Sequence, residues 1–267
     1  MQSAVFSPDG ERVLTASDDR SAKVWSAASG ECLQTLTGHE KYVCSAVFSP
    51  DGERVLTASR GDSAKVWSAA SGECLRTFGG PGCEVFSAEF SPGGERVLTR
   101  LCVDPPKLWS VASGECLHMF SYRGRPVCSA VFSPDGERVL TAPHGMTAKV
   151  WSAASGECLQ TLTGHEKFVW SAVFSPDGER VLTVSDDNSL KVWFAASGEC
   201  LQTLTAHEKY VCSAVFSSDG ERVLTASCDD SARVWSAASG ECLHILRVHV
   251  GGALSPVLCS SPYGFPL

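Results

Sequence analysis

The stretch SAVFSPDGERVLT, Ser3 to Thr15, returns with few changes at Ser45, Ser87, Ser129, Ser171 and Ser213, always forty-two residues apart. Within it, Ser7-Pro8-Asp9-Gly10 carries strong turn chemistry: Pro presets φ, Asp can cap the local backbone, and Gly accepts positive φ. The flanking SAVF and ERVLTAS are short, rich in β-branched and apolar residues, and too closely spaced for helices, so they read as paired strands. AKVWS follows the polar SDDR turn, and Ala-Ala-Ser-Gly then leads into ECLQTLT. One unit is therefore four strands, a to d, with hairpin-short connections.

The tryptophans carry the same period. Trp25, Trp67, Trp109, Trp151, Trp193 and Trp235 are each forty-two apart, and only Trp170 lies off the series. Alternation inside the strands is partial: Val13, Thr15 and Ser17 face one way and Arg12, Leu14 and Ala16 the other. A sheet that is semi-apolar on both faces must be covered on both. Six such sheets cover one another when stacked radially, so the expected class is all-β, a six-bladed β-propeller of four-stranded antiparallel blades over residues 1–246. Residues 247–267 lose the pattern and read as an irregular tail that faintly echoes a further repeat.

Composition narrows the function. Thirty acidic and twenty-two basic side chains give a net charge of −8, so nucleic acid is not an expected partner. There is no basic and apolar leader and no run of eighteen apolar residues, which points to an intracellular, cytoplasmic protein with no membrane partner. Of thirteen cysteines, six share one repeat position in ECL (Cys32, Cys74, Cys116, Cys158, Cys200 and Cys242) and read as small buried residues in a reducing compartment. No CxxC pair occurs, and His118, His244 and His249 stand at no metal-ligand spacing, so no metal and no cofactor is expected.

TGHEKYV (Thr37 to Val43), FSPDG (Phe6 to Gly10), TASDDRSAKVW (Thr15 to Trp25) and the period together resemble the WD40 repeat family over about nine-tenths of the chain. The tryptophan is followed by Ser, or by Phe194, so the WD dipeptide itself is absent. The resemblance implies a hydrogen-bonded tetrad in each complete unit: His165, Thr183, Asp187 and Trp193 in the fifth, His207, Thr225, Asp229 and Trp235 in the sixth. The second unit has His39, Thr57 and Trp67 but Gly61 at the Asp position; the third has Val103 there and the fourth Gly145. An Asp-His-hydroxyl set also invites a hydrolase reading, but its recurrence and its termination on an indole favour a scaffold role.

Because the repeats are so alike, departures are informative, and they concentrate at the starts of strand a and the ends of strand b. Tyr42, Arg60, Phe86, His144, Phe168, Trp170 and Tyr210 occupy these places. The resemblance puts them on the top face of a propeller, where aromatics and Arg suit a docking surface. Trp170 replaces the Cys of three other units and is expected to be an exposed anchor. The expected function is a non-catalytic protein-interaction scaffold that binds partner proteins or peptides. The alternatives are the docking portion of a larger signalling protein, or a propeller-based hydrolase. The sequence does not fix the partner's identity or the oligomeric state.

Overall fold

Each SPDG segment closes a hairpin as its chemistry requires. In the first, the Gly10 amide donates to the Ser7 carbonyl at 2.9 Å, Gly10 takes φ 74°, and the Asp9 carboxylate accepts the Glu11 amide at 3.0 Å. A computed structural model describes residues 1–61, 63–79, 84–101, 104–121, 126–205 and 207–247. Among these residues every regular element is a strand, and no helix is long and apolar enough to cross a membrane.

The first sheet is β1 (Ser3–Phe6), β2 (Arg12–Ala16), β3 (Ser21–Ser26) and β4 (Cys32–Thr37); the second is β5 (Val43–Phe48), β6 (Arg54–Ser59), β7 (Ser63–Ser68) and β8 (Cys74–Gly79). The third is β9 (Val85–Phe90), β10 (Arg96–Leu101), β11 (Lys107–Ser110) and β12 (Cys116–Met119); the fourth is β13 (Val127–Phe132), β14 (Arg138–Pro143), β15 (Thr147–Ser152) and β16 (Cys158–Thr163). The fifth is β17 (Val169–Phe174), β18 (Arg180–Ser185), β19 (Leu190–Phe194) and β20 (Cys200–Leu204); the sixth is β21 (Val211–Phe216), β22 (Arg222–Ser227), β23 (Ser231–Ser236) and β24 (Cys242–Arg247). All six are four-stranded and antiparallel, with strands in chain order, as the repeat reading requires.

The chain divides into two units, Met1–Val127 and Cys128–Leu267. In the first, Leu14, Ala16 and Leu36 of the first sheet pack on Val43, Ala46, Val55 and Trp67 of the second. Leu56, Ala58 and Phe78 of the second pack in turn on Val85, Ala88 and Val97 of the third. The second unit repeats the contact between its own successive sheets, with Leu140, Ala142 and Leu162 on Val169, Ala172 and Trp193. Interior sheets are covered on both faces: Val55, Leu56, Thr57 and Ala58 are consecutive along β6 and all buried.

Polar staples fix the register of these contacts. Arg12 donates to the Gly52 carbonyl at 3.0 Å and lies over the Phe48 ring; Arg180 does the same with Gly220 at 2.9 Å and Phe216. Near the AASG turns, Gln34 donates to Ala70 and Gln160 to Ala196, both at 2.7 Å.

The cysteine expectation is corrected. Cys32, Cys74, Cys116, Cys158 and Cys200 are exposed and Cys242 is half-buried, because strand d is the outermost of each sheet and a register shift beside the tryptophan turns this position to water. In β4 only Leu36 is buried. Val103 and residues 248–267 lie outside the described residues, whereas Arg247, placed in the tail on sequence, ends β24.

Candidate functional site

The most conserved polar geometry inside the chain begins at the tryptophans. Each of the six donates its indole N–H to the threonine ten residues earlier: Trp25 to Thr15, Trp67 to Thr57, Trp109 to Thr99, Trp151 to Thr141, Trp193 to Thr183 and Trp235 to Thr225, over 2.7–2.9 Å. Strand pairing brings them together, since β2 and β3 align Thr15 with Lys23 and Val13 with Trp25.

Where the sequence supplies His and Asp, the network extends. His165 Nε2 lies 2.7 Å from Thr183 Oγ1 and its Nδ1 3.0 Å from Asp187; in the sixth sheet the distances are 2.7 Å from His207 to Thr225 and 2.9 Å to Asp229. Burial would raise the Asp187 carboxyl, but hydrogen bonds from Ser189, the Glu166 amide and His165 outweigh it and hold it well below the usual carboxylate range. Burial also lowers the His165 pKa, against the pull of Asp187. The imidazole is therefore neutral near pH 7, giving Nδ1–H to Asp187 and accepting the Thr183 hydroxyl proton at Nε2. Thr183 and Thr225 are wholly buried. In the second sheet His39 Nε2 keeps the 2.7 Å contact to Thr57 although Gly61 stands at the Asp position.

Residues 2–26, 30–68, 114–152, 156–193 and 198–236 match the WD40 family, described as WD domain, G-beta repeat. The chain belongs to the WD40 family. Residues 69–113, between two matched segments, contain the third unit with its departures at Val103, Pro105 and Pro106. A 38-residue segment is 55% identical to human WD repeat-containing protein 86, covering 14% of this chain and 10% of that protein. A 30-residue segment is 57% identical to F-box/WD repeat-containing protein 7 of Drosophila melanogaster, covering 11% of this chain and 2% of that protein. This WD40 chain thus spans a small part of the length of each.

The expected docking residues of the WD40 chain fall into two clusters, one in each unit. In the first unit, the Arg60 guanidinium lies 4.1 Å from the Phe86 ring centre and 5.9 Å from that of Tyr42. Arg100 reaches the same Phe86 ring at 5.2 Å and donates to Ser87 Oγ at 3.2 Å. Two cations thus approach one aromatic ring. Cys44 lies beneath them, its Sγ 3.2–3.4 Å from the carbonyls of Ala58, Val85 and Phe86; burial pushes its thiol up, against both arginines.

In the second unit, His144 stacks on Phe168 at 4.1 Å and Trp170 on Tyr210 at 5.4 Å. The Asp186 amide donates to the Phe168 carbonyl at 2.9 Å, which holds the b–c turn against the start of strand a. Burial raises the Asp186 carboxyl, against His144 and Lys167, and burial together with Asp186 raises the Tyr210 hydroxyl.

One sequence expectation changes here, and one residue goes beyond those the sequence singled out. Trp170 is 6% exposed and belongs to the core around Leu182, Leu190 and Val211, so its ring is not a free surface anchor. Its indole N–H has no hydrogen-bond partner among the described residues. Arg100 was not singled out, yet the signal was present: other repeats place Ala16, Ala58, Ala142, Val184 or Ala226 at that position. A charge on an otherwise apolar register departs from the repeat, as Arg60 does on a register that holds Asp18, His144, Asp186 and Cys228 elsewhere.

Proposed function

We propose that this WD40 chain is a non-catalytic docking platform for partner proteins or peptides. Each unit carries a contact surface of its own where strand b ends and strand a begins: Arg60, Tyr42, Phe86 and Arg100 form a charged one in the first unit, and His144, Phe168 and Tyr210 an aromatic one in the second, with Trp170 behind Tyr210. The observation that carries this reading is Arg60 lying 4.1 Å from Phe86 with no ion pair among the described residues. A guanidinium held flat by a ring keeps its outer edge for a carboxylate or phosphate, and pre-organisation reduces the entropy lost on binding. Such a local cationic patch favours an acidic or phosphorylated segment, while the net charge of −8 disfavours an extended nucleic-acid backbone.

A hydrolase reading has less support. The hydroxyls of the His-Asp sets are buried and engaged by an indole and an imidazole, so neither is placed to attack a substrate.

Affinity capture from the native source, comparing the intact chain with Arg60→Ala and Phe86→Ala, tests the proposal. Each variant should keep the far-ultraviolet spectrum of the parent and weaken partner binding by about 2 kcal/mol, roughly thirtyfold. Undiminished capture by both variants overturns the site.

A further inference from the structure

Two adjacent carboxylates in the second unit have opposite surroundings. Asp187 accepts the Ser189 amide at 2.8 Å, the Glu166 amide at 3.0 Å and His165 Nδ1–H at 3.0 Å. The Asp186 carboxylate, half-buried beside it, accepts no hydrogen bond and makes no ion pair among the described residues. Burial therefore raises the Asp186 carboxyl, while its neighbour is held low. At the same register of the first sheet, Asp18 is exposed and accepts the Gln2 amide at 2.7 Å. A partly desolvated charge with no donor is unfavourable in the free chain and gains from any cation brought to it.

The groups around Asp186 narrow the choice of cation. Phe168, whose carbonyl accepts the Asp186 amide, is backed by His144 at 4.1 Å. Tyr210, close enough for Asp186 to raise its hydroxyl, is backed by Trp170 at 5.4 Å. Phe168 and Tyr210 are both partly exposed, and aromatic rings attract a cation as well as packing on methylenes. The same cluster strands a donor, the buried Trp170 indole N–H, which has no partner among the described residues. A stranded N–H is satisfied by a carbonyl and a stranded carboxylate by a cation. A peptide with a cationic side chain carries both groups. The exposed Lys167 lies within electrostatic range of Asp186 but forms no ion pair with it.

We propose that this cluster binds a lysine side chain of a partner protein, with the ammonium donating to the Asp186 carboxylate and the methylenes lying along Phe168 and Tyr210. The assignment rests on the docking reading above and gives the second-unit surface a ligand chemistry opposite in sign to that of Arg60 and Arg100. Lysine is favoured over arginine because a guanidinium stacks flat across a whole ring. Phe168 and Tyr210 each give one face to a neighbour and are otherwise only partly exposed. An ammonium is compact and needs one carboxylate and part of a ring. The net charge of −8 adds a long-range pull on a basic segment.

Immobilised peptide libraries with one fixed central residue and degenerate flanks, tested on the full chain, provide the probe. The parent should bind the lysine-centred library at least tenfold better than a norleucine-centred one, which keeps the methylenes and lacks the ammonium, and better than an arginine-centred one. Asp186→Asn and Tyr210→Leu should each reduce the lysine preference below twofold, while Arg60→Ala in the first unit leaves it unchanged. A purely structural role for Asp186 predicts a different pattern. The free Asp186→Asn chain should melt at or above the parent's midpoint, because an unpaired charge is gone, and lysine-centred peptide should raise the midpoint of the parent alone. Equal binding of the lysine and norleucine libraries, tighter binding of the arginine library, or an Asp186→Asn chain that keeps the preference or melts well below the parent overturns the proposal. None of these outcomes decides the docking reading itself, which stands or falls on native-partner capture by Arg60→Ala and Phe86→Ala.

Discussion

His165 Nδ1 lies 3.0 Å from the Asp187 carboxylate although the two residues are twenty-two positions apart, and the same spacing sets His207 2.9 Å from Asp229. Removing the carboxylate strands a buried N–H. Asp187→Ala and Asp229→Ala should each lower stability by about 1–3 kcal/mol, whereas Asp18→Ala, at an exposed carboxylate, should stay within about half a kcal/mol. Urea midpoints for the three variants check this, and equal losses for all three contradict the assignment.

Acid should weaken the fold in two stages. His165 has its pKa lowered in the fold, so as pH falls below about 6.5 the unfolded chain takes up a proton that the native chain refuses. Asp187 and Asp229 are also lowered, and their contribution is lost as pH falls below about 4, where the unfolded carboxylates protonate first. Both signs make stability rise with pH. Thermal midpoints at pH 8, 5.5 and 3.5 should fall in that order, and Asp187→Asn should flatten the lowest-pH limb.

Three b–c turns hold a left-handed residue in their last position: Arg20 at φ 72°, Asn188 at 63° and Asp230 at 61°. Asn and Asp tolerate this region better than Arg, and Gly best of all. Arg20→Gly should therefore raise stability by about 0.5–1 kcal/mol, while Asn188→Gly gains less. Paired denaturant titrations distinguish the two.

Thiol reactivity should follow strand position. Cys32, Cys74, Cys158 and Cys200 are exposed and should be alkylated in the native chain within minutes. Cys44, half-buried with its thiol raised by burial, should wait for unfolding. Peptide mapping after a short maleimide pulse reads both groups, and protection of the first four would restore the buried assignment made from sequence.

The strands and turns were legible because their causes are local. Pro8 and Gly10 set a hairpin, and the ten-residue step from Thr15 to Trp25 fixes their bond once that hairpin forms. The tetrads at His165 and His207 were legible through the family resemblance. What was hidden depends on neighbours. The ECL cysteines repeat like the core residues, yet a period does not say which strand is outermost. Trp170 departs from Cys as a surface residue would, but its larger ring is taken up by Tyr210 and the core. Arg100 finds its ring on β9, the strand paired beside it, so reading one strand at a time could not assign its role.

The shared threonine bond has an optical consequence. Six indoles donate to the same kind of hydroxyl at nearly the same distance and should give overlapping fluorescence bands, whereas Trp170 makes no such bond among the described residues and stacks on Tyr210 instead. The difference spectrum between the parent chain and Trp170→Phe therefore isolates one chromophore beside the proposed docking cluster of the second unit. A ligand reaching Tyr210 would alter that emission while leaving the other six as an internal standard.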